Sequence, residues 1–120
     1  MRILFDHNVP RRLREHLPEH DIRTAREMRW ELLRNGALLT AAAEAGFETV
    51  ITTDTHLEYE QNLMKVPLPI VVLDADSNAL PALLPLTPFL RDLLTSPLHR
   101  ALYVVQKPGE VVRLNEPRKR

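Results

Sequence analysis

Two short apolar runs in this chain each end on an aspartate. Ile3-Leu4-Phe5 leads directly into Asp6, and Thr49-Val50-Ile51-Thr52-Thr53 leads into Asp54. Val50 and Ile51 are β-branched and apolar, as suits a buried strand, and the flanking threonines are tolerated there. In an open α/β sheet, functional groups collect outside the carboxyl ends of parallel strands. Two strands that each deliver a carboxylate at that end predict one rim carrying both Asp6 and Asp54.

The rest of the chain is laid out around these strands. Residues 2–5 are the first strand, Asp6-His7-Asn8 a turn, and Pro10 the first position of a helix. Val9, Leu13 and Leu17 recur every four residues and give that helix an apolar face, with Arg11, Arg12, Arg14 and Glu15 largely off it, and Pro18 stops it. Residues 20–24 read as a short second strand and residues 25–33 as helix. Asn35-Gly36 is a loop signal with Asn35 as N-cap; residues 37–45 form a helix with Leu38, Ala42 and Ala45 on one face, and Gly46 is its C-cap. Residues 55–63 read as a short helix. Pro67-Leu68-Pro69 precedes a buried strand, residues 70–73, that ends at Asp74-Ala75-Asp76. The leucine-rich stretch 77–96 is interrupted by Pro81, Pro85 and Pro88 and predicts a helix with an irregular start, firmest over residues 88–94. Residues 102–105 are a fifth strand, Lys107-Pro108-Gly109-Glu110 a turn, and residues 111–114 pair back as a hairpin, followed by a frayed basic tail over 115–120. Strands alternating with helices predict a single three-layer α/β domain over residues 1–120. Its central sheet is mainly parallel, with four to five strands flanked by helices and a C-terminal hairpin.

A chain of 120 residues is long enough for one core and not for two. Its formal net charge is +0, so whole-molecule charge gives nucleic-acid binding no support, although a local basic patch serves as well. The absence of cysteine excludes disulfides, thiolate metal sites and a cysteine nucleophile. No apolar run approaches the ~18 residues of a membrane span, and the first strand begins without a signal-peptide pattern. A soluble, cytoplasmic protein with no membrane partner is the expectation. There is no G-x-S-x-G, P-loop, G-x-G-x-x-G or H-E-x-x-H, and three glycines do not make a phosphate-cradling loop.

Metal-assisted phosphodiester hydrolysis needs oxygen ligands, usually carboxylates, around Mg²⁺ or Mn²⁺. Asp6 and Asp54 are the leading candidates, with helix or turn capping as the alternative role for each. Asp74 and Asp76 also follow a strand, but Asp76-Ser77-Asn78 is equally good turn chemistry. His7 and His56 flank the two key aspartates, either as surface residues or as ligands. Asn8 and Asn35 are neutral oxygen donors that fit either water or phosphate orientation or helix entry. Arg11, Arg12, Arg14, Arg23, Arg26, Arg29 and Arg34 concentrate positive charge in the first third of the chain. They read either as a grip on a nucleic-acid backbone or as a solvated face shared with Glu15, Glu19, Glu27 and Glu31. Trp30, the single tryptophan, suits core packing or a stacking surface.

Residues 1–13 (Met-Arg-Ile-Leu-Phe-Asp-His-Asn-Val-Pro-Arg-Arg-Leu) and Val50-Ile51-Thr52-Thr53-Asp54 together resemble the PIN-like proteins of the DUF5615 (Mut7-C-like) group, compact members of the PIN nuclease superfamily. Asn35-Gly36-Ala37-Leu38-Leu39 sits where that group has an acidic helix entry, and the resemblance covers roughly residues 1–75. It implies a PIN-type sheet, an acidic Mg²⁺ or Mn²⁺ site, single-stranded RNA as substrate, a cognate antitoxin as partner and a homodimer. It assigns metal binding to Asp6 and Asp54, catalytic positions to Asp6, Asp54 and Asn35, and nucleic-acid contacts to Asn8, Arg11, Arg12 and His56. Asn35 and His56 stand where the group carries acids, and each removes a negative charge from a cation site. A PIN-like fold that has lost catalysis and serves as a binding module is the second reading. A receiver-like phosphoacceptor domain is the third, suggested by Asp54 and Lys107-Pro108. The acidic pair that receivers carry after their first strand is here Asp6 followed by His7 and Asn8.

Overall fold

The computed structural model describes residues 1–107 and 109–116, without the side chain of Glu58. Residue 108 of the expected turn and residues 117–120 of the expected tail lie outside these. The elements in chain order are β1 (Arg2–Phe5), β2 (Asp21–Thr24), α1 (Asn35–Glu44), β3 (Thr49–Thr52), α2 (Leu57–Glu60), β4 (Ile70–Asp74), α3 (Leu80–Leu83), α4 (Thr87–Leu93), β5 (Leu102–Gln106) and β6 (Glu110–Leu114). They form one sheet in the order β2-β1-β3-β4-β5-β6. The first five strands are parallel and β6 returns antiparallel to β5, with Val104 opposite Val112. The sheet therefore contains the five expected strands, with the hairpin strand as its sixth.

The apolar strand runs have no polar alternation because both faces of the sheet are covered. On one face Ile3, Phe5, Ile51, Val71, Leu73 and Val105 pack with Leu13 and Leu17, and with Leu83, Leu86 and Leu90 of the α3–α4 region. On the other, Leu4, Val50, Ile70, Val72, Leu102 and Val104 pack with Leu38, Leu39 and Ala42 of α1 and Leu57 of α2. The result is a three-layer α/β arrangement. Trp30 belongs to the second layer, its ring edge-on to Phe47 at 6.1 Å between centroids.

Three local expectations change. The Val9/Leu13/Leu17 face is buried as its spacing requires, but it rides on a 3₁₀ segment, Arg11–His16, and not on an α-helix. Leu13 N–H bonds to Pro10 O and Leu17 N–H to Arg14 O, both at 3.0 Å, which are i→i+3 bonds. Pro18 keeps Leu17 out of the helical region, at φ −130° and ψ 53°, and the short segment that remains takes the i→i+3 pattern common in brief helical pieces. Residues 25–33 are not a helix. Thr24 and Glu27 form a capping box, with Glu27 N–H on Thr24 Oγ1 at 3.1 Å and Thr24 N–H on Glu27 Oε1 at 3.0 Å. One turn later Arg29 adopts φ 62°, and the bonds Trp30 N–H to Ala25 O and Arg29 N–H to Arg26 O close a Schellman motif. The helix starts and stops within a single turn. Asn35 does not cap α1 through its side chain: the cap position is Arg34, and Asn35 itself takes φ 48°, a conformation asparagine tolerates.

The C-terminus of α1 is closed by the same motif, with Phe47 N–H on Ala42 O, Gly46 N–H on Ala43 O and Gly46 at φ 86°. A Cβ at Gly46 would find its nearest neighbour at 3.7 Å, so backbone conformation and not space demands glycine there. Gly46→Ala should lower stability by about 1 kcal/mol. Urea denaturation checks this: the midpoint should fall with an unchanged slope.

Candidate functional site

The chain runs outward from β1 to β2 in one direction and from β3 through β4 to β5 in the other, so the order reverses between β1 and β3. Crevices outside the carboxyl ends of strands open at such reversals. Asp6 and Asp54 follow the two strands that flank it. The register sets Phe5 beside Ile51, and Asp6 N–H continues the ladder onto Ile51 O at 2.9 Å, so Asp6 stands next to Thr52.

Thr52 joins the two aspartates. Its side chain is fully buried, and its hydroxyl donates to Asp6 Oδ2 at 2.7 Å while accepting Asp54 N–H at 3.1 Å. With its single proton on Asp6, the longer 3.4 Å approach to Asn8 Oδ1 is secondary. Asn8 Oδ1 accepts Thr53 N–H at 3.2 Å, and Asn8 O accepts Asn78 Nδ2 at 3.1 Å, tying the loops after β1, β3 and β4 together. The other oxygens also have local tasks. His7 N–H donates to Asp6 Oδ1 at 2.7 Å, and His56 N–H to Asp54 Oδ1 at 2.9 Å. Asp54 thus closes a turn through its side chain and Asp6 meets only the N–H of the next residue, and each ionised carboxylate keeps acceptor capacity beyond these bonds.

The expected residues divide accordingly. Asp6, Asn8 and Asp54 share one bonded cluster through Thr52 and Thr53. His56 is exposed, and its Nδ1 lies 3.8 Å from Asp54 Oδ1, beyond hydrogen-bond range. Asn35 is exposed at the start of α1. Arg11 lines a cleft of about 800 Å³ beside Asp6, whereas exposed Arg12 is outside that lining. Asp74 ends β4 half-buried, and Asp76 is ion-paired with Lys107 at 2.7 Å. A second cavity of similar volume opens by Met1, Glu19, His20, Glu48 and Arg91 and contains none of the expected residues.

Among the described residues, no group of three or more His, Asp or Glu side chains is placed to hold a metal ion. The donor set of Asp6 and Asp54 is nevertheless hard oxygen, the kind Mg²⁺ and Mn²⁺ take. Two carboxylates suit an ion that keeps most of its waters and adds substrate phosphate, not one caged by protein. Within that limit the residues fit a divalent ion.

Two further contacts were missed in the sequence reading. Thr52-x-Asp54 places a buried hydroxyl two residues before the carboxylate, where it accepts the Asp54 N–H, and the i, i+2 spacing is visible in the sequence. Thr24-x-x-Glu27 is a capping-box pattern. Glu27 also takes a bidentate grip from Arg14, at 2.7 and 3.0 Å, while Arg14 bonds Ile22 O at 3.2 Å. The Arg14 guanidinium, aided by the Thr24 N–H, holds the Glu27 carboxyl down to about 2 from an ordinary 4.5. A scan against family models, a search of curated proteins and a search of solved structures each returned no match.

Thr52→Val should cost about 1–3 kcal/mol, because it strands the Asp54 N–H and one bond to Asp6. Thr52→Ser should cost less, and equal losses for the two in urea denaturation would remove the hydroxyl from its linking role. The Glu27 shift has a definite sign. A depressed folded pKa contributes stability that is present above pH 4.5 and lost as pH falls toward about 2. Glu27→Gln should therefore show a shallower decline of melting temperature than the parent across that window.

Proposed function

We propose that this chain is a PIN-like, metal-dependent ribonuclease in which Asp6 and Asp54 hold Mg²⁺ or Mn²⁺. The observation that carries the reading is the bonded Asp6–Thr52–Asp54 cluster at the strand-order reversal between β1 and β3. When bound, the ion supplies a Lewis acid for a phosphoryl oxygen and lowers the pKa of an attacking water. The protein's own contribution is positional. Thr52 fixes the orientation of Asp6, Thr53 N–H occupies the Asn8 side-chain oxygen, and the Asn8 amide nitrogen is left as a donor toward a phosphate oxygen. Single-stranded RNA as substrate, a cognate antitoxin and a homodimer accompany this proposal through the resemblance alone.

The absence of a three-ligand group among the described residues, with Asn35 in place of an acid, favours a second reading: a PIN-like module that binds without cutting. The receiver-like reading relies on Lys107, whose ammonium is engaged by Asp76.

Calorimetric titration of Mn²⁺ into the parent protein, Asp6→Asn and Asp54→Asn separates the first two. Under the nuclease proposal the parent binds and both variants lose most of the affinity. Equal binding by all three would place the ion elsewhere. An absence of binding by the parent, with and without an added oligoribonucleotide, would leave the binding module.

A further inference from the structure

Seven arginines fall between residues 11 and 34, and the fold gives them different tasks. Arg14 is committed to Glu27 and the Ile22 carbonyl, and Arg23 to Asp21 at 3.3 Å. Arg12 and Arg29 are exposed and stand outside the cleft beside Asp6. Arg11, Arg26 and Arg34 line that cleft, together with Asp6, His7 and Glu31. Arg11 and Arg26 are exposed and, among the described residues, have no hydrogen bond or ion pair.

Arg34 is held from behind. Its Nη1 donates to the carbonyls of Glu31 and Leu33, the latter at 2.9 Å. Those bonds use both Nη1 protons, so the 3.0 Å approach of Nη1 to His7 Nε2 is not a third donation. His7 Nε2 instead carries a proton and donates to the Leu33 carbonyl at 2.8 Å, fastening the 31–34 loop to the β1 rim. The Nε and Nη2 groups of Arg34 make no bond among the described residues. Glu27 also borders the cleft, but Arg14 neutralises it. Three guanidiniums then face two carboxylates, Asp6 and Glu31, and the cleft carries net positive charge. A volume of about 800 Å³ lies within the range of small-ligand pockets.

We infer that this cleft is a phosphate subsite. Arg11, Arg26 and Arg34 hold a non-scissile phosphate of a single-stranded polynucleotide beside Asp6, without a divalent ion. Guanidinium forks match phosphate oxygens in geometry and charge. The inference deepens the nuclease proposal and rests on it for the identity of the polynucleotide.

The test is fluorescence-anisotropy binding of a labelled, short single-stranded oligouridylate in EDTA, over a series of salt concentrations. The parent should bind. Arg11→Ala/Arg26→Ala should weaken binding on the order of tenfold and flatten the salt slope by up to about 0.7, the contribution of the one phosphate these arginines share on a single strand. Arg11→Lys/Arg26→Lys should restore most of the slope. Arg100→Ala/Arg113→Ala, which removes the same charge from exposed positions outside the cleft, should bind as the parent does. The inference is overturned if the parent does not bind in EDTA, or if both alanine pairs weaken binding equally. Mn²⁺ calorimetry on the same proteins keeps the two ideas apart. Arginine-dependent binding without Mn²⁺ binding sinks the nuclease proposal and keeps the subsite, and the converse sinks only the subsite.

Discussion

The parallel pairing of β1 with β3 is the constraint on which the site depends. It joins residues 46 positions apart in sequence, and its register alone decides what stands beside Asp6. A slip of one residue would turn every side chain of one strand to the opposite face. With β3 the one that slips, Val50 would leave the α1 layer and Thr52 would no longer meet Asp6. Because both faces of these strands are packed, such a slip is strongly disfavoured. The core therefore fixes the polar rim as well as the fold.

Thr52 shows how this works at one residue. Its β-branched side chain suits a strand, and at 0% exposure its hydroxyl has to be bonded. Asp6 and the Asp54 amide meet that need. The same two bonds restrict the carboxylate of one loop and the backbone of another. Valine would fill the space and lose both bonds; serine would keep the bonds and lose packing and stiffness. The site is thus built into the strand end and not laid over it.

The four inner strands β1, β3, β4 and β5 were legible because strands buried on both faces appear as near-continuous apolar runs, whereas the edge strands β2 and β6 mix charged with apolar residues and carry no such run. Gly46 was legible as a cap for an equally local reason. Residues 25–33 were not, since their composition suits a helix and the decisive event is Arg29 entering the left-handed region, where nothing about arginine advertises it. Asn35 behaves similarly: an asparagine before glycine fits an N-cap and a positive φ alike. At the site, the placement of Asp6 and Asp54 followed from strand ends. The separation of Arg11 from Arg12, and of both from Arg14, depended on a 3₁₀ segment whose angular spacing differs from that of an α-helix. The two helix types share the buried Leu13 face but set the exposed arginines at different angles.

The departures from an all-acidic rim bear on how such a site holds together. Several clustered carboxylates repel one another and raise their own pKa values unless a cation offsets them. Here, Asp6 receives a hydroxyl and a backbone N–H, and Asp54 receives a backbone N–H. Each charge is met by donors already in the fold, and exposed His56 adds none. Under the proposed function, a divalent ion is then needed for chemistry and not to relieve stored repulsion. Any stabilisation it gives follows only from its concentration relative to its dissociation constant. On that proposal a rim of two carboxylates beside an arginine cleft would divide the work of binding: the guanidiniums would retain the polynucleotide, and Asp6 and Asp54 would hold an ion that keeps most of its waters.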